Sequence, residues 1–373
     1  MGQFKFIIMK KLMYLVGLLV ALVGFWSCEN DNDEPVLVSK LEVKEITSEA
    51  LLNNPIGNAV VRKMQVYLPK GYDESSTKKY PVVYLLHSLP FTEEAYTSEE
   101  GWDPWIGGTS PFQTYPDFPE NGFKNWIDGL IDSGLIKPMI IVMPNAASAY
   151  GFSWYSNSEL NGGFEDYIVN DIVSFIDNSY RTLANKDGRA IIGVSQGGYG
   201  AIKIGMLHPD KFGAIAGHSG MLYLDGILTW GQLLLDENPD GFVGPHPDKF
   251  LTSAMYSMSA AWSPNMNNPP TMVDLPFAYP SGAIIPTVRD RMLKHDVFTL
   301  LDTHLDNMKS LNGIFIDCGE LDELGMTGIV NAFCLKMDAM GVEHTYETFN
   351  GGHFDQLYSR LERSLTFVSE KMN

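Results

Sequence analysis

Three uninterrupted apolar runs constrain this chain more than any other feature: residues 82–86 (VVYLL), 139–143 (MIIVM) and 190–194 (AIIGV). A strand with one wet face alternates polar and apolar residues. Runs without alternation belong to strands buried on both faces, as in a parallel sheet flanked by helices. Residues 314–318 (IFIDC) form a candidate fourth. Between them lie helix-length segments. In 164–176, Tyr167, Ile168, Asp171, Ile172, Phe175 and Ile176 share roughly one helical face, and 200–207 and 329–340 repeat the spacing. Strands alternating with helices predict a mostly parallel, doubly wound α/β sheet. Two β-rich runs, 36–46 and 60–68, come first, the second closed by Pro69-Lys70-Gly71-Tyr72-Asp73. Two stretches break the rhythm. Residues 89–124 are rich in aromatics, Gly and Pro, and residues 221–298 hold Trp230, Trp262 and the segment SPNMNNPP. The second is too long for a simple connection and is expected to be an insertion, a lid over the strand ends.

The turn after 190–194 carries the chemistry. Gly193-Val194-Ser195-Gln196-Gly197 is a G-x-S-x-G sequence, placed between a buried run and the helical segment that begins at Gly198. In that strand–turn–helix context the serine sits on a sharp, strained turn with its hydroxyl exposed at the sheet edge. Glycines on either side remove Cβ atoms that would clash, and the new helix aims its first N–H groups at the same place. A glycine-rich turn with an inert serine is the bland alternative, and the flanking elements argue against it.

A serine nucleophile needs a base, and the base needs an orienting acid. His353, in Asn350-Gly351-Gly352-His353, follows a strand-like run at 346–349, where flanking glycines leave it free to reach a neighbouring strand end. Asp322 follows the 314–318 run at the same edge. The chain order Ser195, Asp322, His353, with separations of 127 and 31 residues, is that of α/β-hydrolases. Asp317, Glu320 and Glu323 are rival acids; the first lies inside its strand and the others flank the better position. His87 and His218 end strand-like runs near the expected cleft. Both are expected to hydrogen-bond loop backbone. His208 has the place of a helix-terminal histidine. No HExxH or Cys–His spacing points to a metal.

The chain has 373 residues, 45% hydrophobic and 19% charged, which excludes a disordered chain. A net charge of −19 gives no basic footprint for nucleic acid. Three cysteines are too few for a disulfide scaffold, and Cys318 and Cys334 are expected to be free thiols. At the N-terminus, Lys5, Lys10 and Lys11 precede an apolar stretch that ends at Ser27-Cys28. Only 16 residues separate Lys11 from Cys28, fewer than the ~20 of a membrane-spanning helix, so residues 1–27 are expected to be a cleaved signal. A retained anchor would need residues 6–9 to join the span. Apolar segment, small residue and cysteine resemble a bacterial lipoprotein signal, which implies acylation of Cys28, export, and attachment to the outer membrane through the lipid. The acidic run at 29–34 is either a solvated linker or, by resemblance, a surface-export tag. The expected domains are therefore 1–27, a linker and lead-in at 28–47, and an α/β-hydrolase domain at 48–373.

From about residue 48 to 365 the chain resembles the esterase D family of α/β-hydrolases, which covers feruloyl and acetyl esterases, S-formylglutathione hydrolases and trehalose mycolyltransferases. The resemblance rests on Asn54-Pro55-Ile56-Gly57, on 66–72 (VYLPKGY), 80–87 (YPVVYLLH) and 137–144 (KPMIIVMP), on Trp154-Tyr155-Ser156-Asn157-Ser158, on 193–201 (GVSQGGYGA) and on Gly351-Gly352-His353. It implies that Ser195, Asp322 and His353 form a triad. It also implies oxyanion N–H groups on Leu89 and Gln196, and no cofactor. One departure stands out: the family has His-Gly after its LL strand, and here His87 is followed by Ser88. Were that glycine needed for φ > 0, Ser88 would strain the loop.

The resemblance implies hydrolysis of acetyl or feruloyl esters on polysaccharides. Trp102, Trp105, Trp154 and Tyr155, with Phe112, Tyr115 and Phe118, are candidates to stack on a sugar or phenolic acid, or else they pack their loops down. Export argues against cytosolic glutathione thioester chemistry. Acyl transfer, and a surface glycan-binding protein on an inactive hydrolase fold, are the alternative expectations.

Overall fold

The apolar runs become the middle of a sheet. A computed structural model describes residues 37–72, 77–88, 92–98, 117–246 and 248–373. The expected signal, Cys28 and the acidic run at 29–34 lie outside the described residues, as do Leu89, Trp102, Trp105, Phe112 and Tyr115. In chain order the strands are β1 (Lys40–Thr47), β2 (Val61–Leu68), β3 (Val82–Leu86), β4 (Ile140–Pro144), β5 (Asn157–Ser158), β6 (Gly162–Gly163), β7 (Arg189–Val194), β8 (Ala214–His218), β9 (Gly313–Gly319) and β10 (Thr345–Phe349). Eight of them form one sheet in the order β1-β2-β4-β3-β7-β8-β9-β10, and β5 pairs only with β6. β1 and β4 run antiparallel to β2; every other pair in the large sheet is parallel. All residues of β3, β4, β7 and β8 are buried, as unalternating runs require.

Helices α1 (Gly122–Asp132), α2 (Val173–Ser179), α3 (Gln196–Leu207), α4 (Phe250–Trp262), α5 (Met326–Ala339) and α6 (Leu357–Lys371) flank the sheet or cover its edge, with further short helices between them. Period-two alternation sorts the core into two layers. Val83, Leu85, Ala190 and Ile192 face the layer of α1 and α6, meeting Phe123, Ile127, Leu361 and Leu365. Val82, Tyr84 and Ile191 face the opposite layer, with Ile176, Ile202 and Phe333 of α2, α3 and α5. Each buried Val, Leu, Ile or Phe among them contributes about 1.5–3 kcal/mol before its entropy is charged against it. The expected helix at 164–176 is present as Phe164–Asp166, a wider π turn at Tyr167–Ile172, and α2. Cys318 and Cys334 are buried free thiols.

The expected domain boundary at residue 48 needs correction. Lys40–Thr47 pairs with Val61–Leu68 along its whole length, and the compact unit begins at Ser39. KLEVKEIT is an edge strand of the sheet with no buried residue, not a lead-in.

The register positions the site. Leu86 pairs with Gly193, Val194 with His218, His218 with Asp317, and Gly319 with Phe349. The carboxyl ends of these five parallel strands therefore lie within about two residues of one another. The residues just past those ends gather outside one carboxyl edge, where open α/β sheets bind ligands. The 221–298 insertion, between β8 and the strand after it, contributes α4 above that edge. α4 docks through Trp154 Nε1, which donates to Ser257 Oγ at 3.0 Å, and Trp262 Nε1, which donates to Ser156 Oγ at 3.1 Å.

Candidate active site

Ser195 has φ 57° and ψ −116°, a conformation that L-residues rarely adopt. Such a residue costs of order 1–3 kcal/mol and persists only where its surroundings hold it. Its N–H donates to the His218 carbonyl at 2.7 Å, and its carbonyl accepts the N–H of Tyr199 at 2.9 Å. The motif glycines are steric necessities. A Cβ on Gly193 would lie 2.1 Å from the Gly197 carbonyl oxygen, and one on Gly197 would lie 2.2 Å from that of Leu86. With no side chain at either position, β3, the turn and the helix can close on one another. α3 begins at Gln196, so the Gln196 N–H is among the first-turn donors left without an intrahelical acceptor.

The structure brings the side chains of Asp322 and His353 together. Nδ1–H of His353 donates to Asp322 Oδ2 at 2.7 Å, which leaves Nε2 as the basic nitrogen. The other carboxylate oxygen accepts N–H groups from Leu324 at 3.0 Å and Met326 at 3.4 Å, at the start of α5. Burial pushes the Asp322 carboxyl up, but the hydrogen bond and charge of His353 and the two backbone donors outweigh it and hold the group below its ordinary value. Burial raises the Cys318 thiol to about 12, so it stays protonated 3.7 Å from the same carboxylate.

The rival acids have other work. Asp317 pairs with Arg360 and His218, Glu320 accepts from Thr348, and Glu323 accepts the His353 backbone N–H at 3.0 Å. Ser195 and His353 line one pocket with Gln196, Trp154, Met221 and Leu324, and the insertion closes it with Trp230, Phe250 and Met258. The pocket is narrow, with about 30 Å³ open inside it, against the ~10–15 Å³ that a single water needs.

The strand before the expected oxyanion loop is tightly held. His87 Nδ1–H donates to the Ser88 carbonyl at 2.8 Å and Nε2 accepts from the Ala146 N–H at 2.9 Å, so the ring is neutral. Burial pushes His87 down to about 4. It bonds loop backbone, as expected. Tyr155 OH donates to the His87 carbonyl at 2.9 Å and Tyr96 OH to that of Leu86 at 2.8 Å. Ser88 is buried and is not among the residues with positive φ, so it takes its place without left-handed strain.

Two sequence expectations change. Tyr155 is fully buried, does not line the pocket and is the anchor of the His87 carbonyl; Trp154 does line the pocket. His218 bonds side chains rather than loop backbone: Asp317 Oδ2 at 2.8 Å and Ser364 Oγ at 2.9 Å. Phe118 stacks edge-on against Tyr358, packing its loop down. Arg360 was not anticipated at all, since no local pattern marks it.

A mostly parallel sheet flanked by helices, with a strained serine between strand and helix and a His–Asp pair past the last strands, defines an α/β-hydrolase fold. The chain belongs to the Esterase family, whose model matches residues 60–359. It is 32% identical over 161 residues to an esterase of Mycobacterium tuberculosis, covering 42% of this chain and 28% of that protein. An endo-1,4-beta-xylanase/feruloyl esterase of Xylanibacter ruminicola is 32% identical over 174 residues, covering 43% of this chain and 20% of that protein. The matches thus span less than a third of those relatives. Among solved structures, a ferulic acid esterase overlays with a TM-score of 0.60 at 21% identity, covering 90% of this chain and all of that one. An S-formylglutathione hydrolase of Staphylococcus aureus gives 0.55 at 17% identity, covering 89% and 99%. At these identities the structural likeness is one of fold.

Proposed function

We propose that this protein is a serine carboxylesterase. The observation that carries the reading is the Asp322–His353 pair, which opens onto the same pocket as a serine held in a strained turn. In the proposed reaction His353 Nε2 takes the Ser195 proton as Oγ attacks an ester carbonyl. Asp322 keeps the imidazole in the reactive tautomer and stabilises its charged form. The Gln196 N–H holds the developing oxyanion, with Leu89 supplying the second donor. His353 then protonates the leaving alcohol, and water attacks the acyl-serine by the same route in reverse. No cofactor takes part.

The substrate reading is an acyl ester on a polysaccharide or its fragments. One matched relative is named a feruloyl esterase, which supports carbohydrate-linked esters. The narrow, apolar pocket favours a compact acyl group such as acetyl over feruloyl. Export with a lipid on Cys28 belongs to the same reading and rests on residues 1–28. Intact mass of the membrane-extracted protein tests it: a diacylglyceryl cysteine at the N-terminus is expected, and an unmodified chain starting at Met1 would remove it.

The decisive experiment compares p-nitrophenyl acetate with methyl ferulate, for the protein and Ser195→Ala. Turnover of the acetate that the substitution lowers by on the order of 10⁶ is expected, by analogy with a dissected serine hydrolase. Folded protein without turnover of either ester would sink the esterase reading.

A further inference from the structure

We propose that Arg360 is a positioning residue that locks the Ser195 turn and the His353 loop together through one buried ionic hub with Asp317. The inference rests on the esterase reading above.

Arg360 lies on α6 and, like Asp317, is almost wholly buried. Its guanidinium uses three sides. Nε and Nη2 grip Asp317, with Nη2 2.7 Å from Oδ1, and Nη2 also donates to Ser219 Oγ at 2.9 Å. Nη1 donates to the carbonyl oxygens of His353 at 3.0 Å and Asp355 at 3.4 Å. Asp317 Oδ2 in turn receives His218 Nδ1–H at 2.8 Å, and the His218 carbonyl is the acceptor for the Ser195 N–H at 2.7 Å. An unbroken chain of contacts therefore runs from the nucleophile's backbone, through His218, Asp317 and Arg360, to the backbone of the base.

The hub matters because of what else holds His353. Asp322 fixes its ring and Glu323 its N–H, but two glycines precede it, and the Arg360 contact is what pins its carbonyl. Reacting groups displaced by about 1 Å can lose ~100-fold in rate. Only a forked, five-donor side chain satisfies a carboxylate, a hydroxyl and two carbonyls at once. Lysine could still meet the Asp317 charge but has too few donors, on too small a head, to keep the His353 and Asp355 carbonyls as well. R360K thus separates the two roles of the residue, retaining the ion pair and losing the clamp.

The test uses the full chain with p-nitrophenyl acetate and a fluorophosphonate that labels reactive serines. Arg189→Lys serves as the control, because Arg189 pairs with Asp177 at the start of β7, at the opposite edge of the sheet. R360K is expected to lower kcat and the Ser195 labelling rate ~100-fold with KM within about twofold, while Arg189→Lys, at similar thermal destabilisation, keeps kcat near wild type. Equal kcat values in R360K and wild type, or equal losses in R360K and Arg189→Lys, would overturn the positioning role. Should R360K not fold, Ser219→Ala removes the Nη2 hub hydrogen bond together with the Ser219 contact to the Cys318 thiol, and Cys318→Ala controls for the second. A kcat loss of about fivefold at constant KM in Ser219→Ala beyond that of Cys318→Ala is expected, and equal kcat in the two overturns the proposal. A wild-type chain that neither turns over ester nor labels at Ser195 sinks the esterase reading and this inference with it, whereas an active wild type with an indifferent R360K sinks the inference alone.

Discussion

Asp322 faces His353 with one carboxylate oxygen, 2.7 Å from Nδ1, and gives the other to the backbone N–H groups of Leu324 and Met326. The acid is thus anchored independently of the base it orients, and it sets the imidazole tautomer without depending on the ring for its own position.

That anchoring makes Asp322→Asn a clean probe. The amide can still accept from Leu324 through its oxygen, but its NH₂ then faces His353 and selects the wrong tautomer. Esterase kcat is expected to fall by roughly 10⁴, the loss seen for the same change in a chymotrypsin-like triad, with little change in KM. A kcat within tenfold of wild type would mean that another acid orients His353.

Ser195 is held on its turn with backbone strain, and that predicts a trade between stability and activity. Ser195→Gly relieves φ 57°, ψ −116°, which glycine adopts freely. It should abolish turnover and raise stability by about 1 kcal/mol, read as a higher midpoint in denaturant. Ser195→Ala, which keeps a Cβ on the same backbone, should abolish turnover without that gain. Equal stability of the two variants would show that the turn is not strained.

What the sequence made legible follows from distance along the chain. The unalternating runs declared their strands because burial on both faces is written into five consecutive residues. The strained turn at Ser195 was legible because the glycines it requires are two positions away on either side. The residues misread or missed have distant partners. Tyr155 contacts the His87 carbonyl across 68 positions, His218 contacts Asp317 across 99, and Arg360 contacts Ser219 across 141. A buried polar group finds its partner through topology, and nothing in the local pattern around Arg360 distinguishes it from a solvated helix arginine. The run at 36–46 was legible as β, but its place in the sheet was not, because no residue of Lys40–Thr47 is buried and nothing in its pattern marks the pairing with Val61–Leu68.

His87 makes the fold sensitive to mild acid. Burial holds the folded imidazole at about 4, against an ordinary value of 6.5. Between those values the unfolded chain takes up a proton that the folded protein refuses, so stability is greatest above pH 6.5 and falls as pH drops toward 4. One such group costs about 1.4 kcal/mol per pH unit in that interval. Urea midpoints at pH 7, 6 and 5 should fall accordingly. His87→Gln, though less stable at pH 7, should show a slope shallower by about one proton; an unchanged slope would place the titration elsewhere.

The acyl preference is the last consequence of the closed pocket. Met258 lies on α4 in the insertion, is buried, and lines the same space as Ser195 and His353. Met258→Ala shortens one of the α4 side chains that line the pocket beside Phe250 and Ala254. The cavity costs about 2–5 kcal/mol of stability where the surroundings do not collapse. In return each additional methylene that the pocket can accept is worth about 1–3 kcal/mol in the transition state. The ratio of kcat/KM for p-nitrophenyl butyrate over acetate should therefore rise at least tenfold, through the butyrate value. The direction matters more than the size. A rise confined to longer acyl chains places the acyl group against α4. A fall on both esters in equal proportion would mean that the acyl group lies elsewhere and that Met258 serves the fold alone.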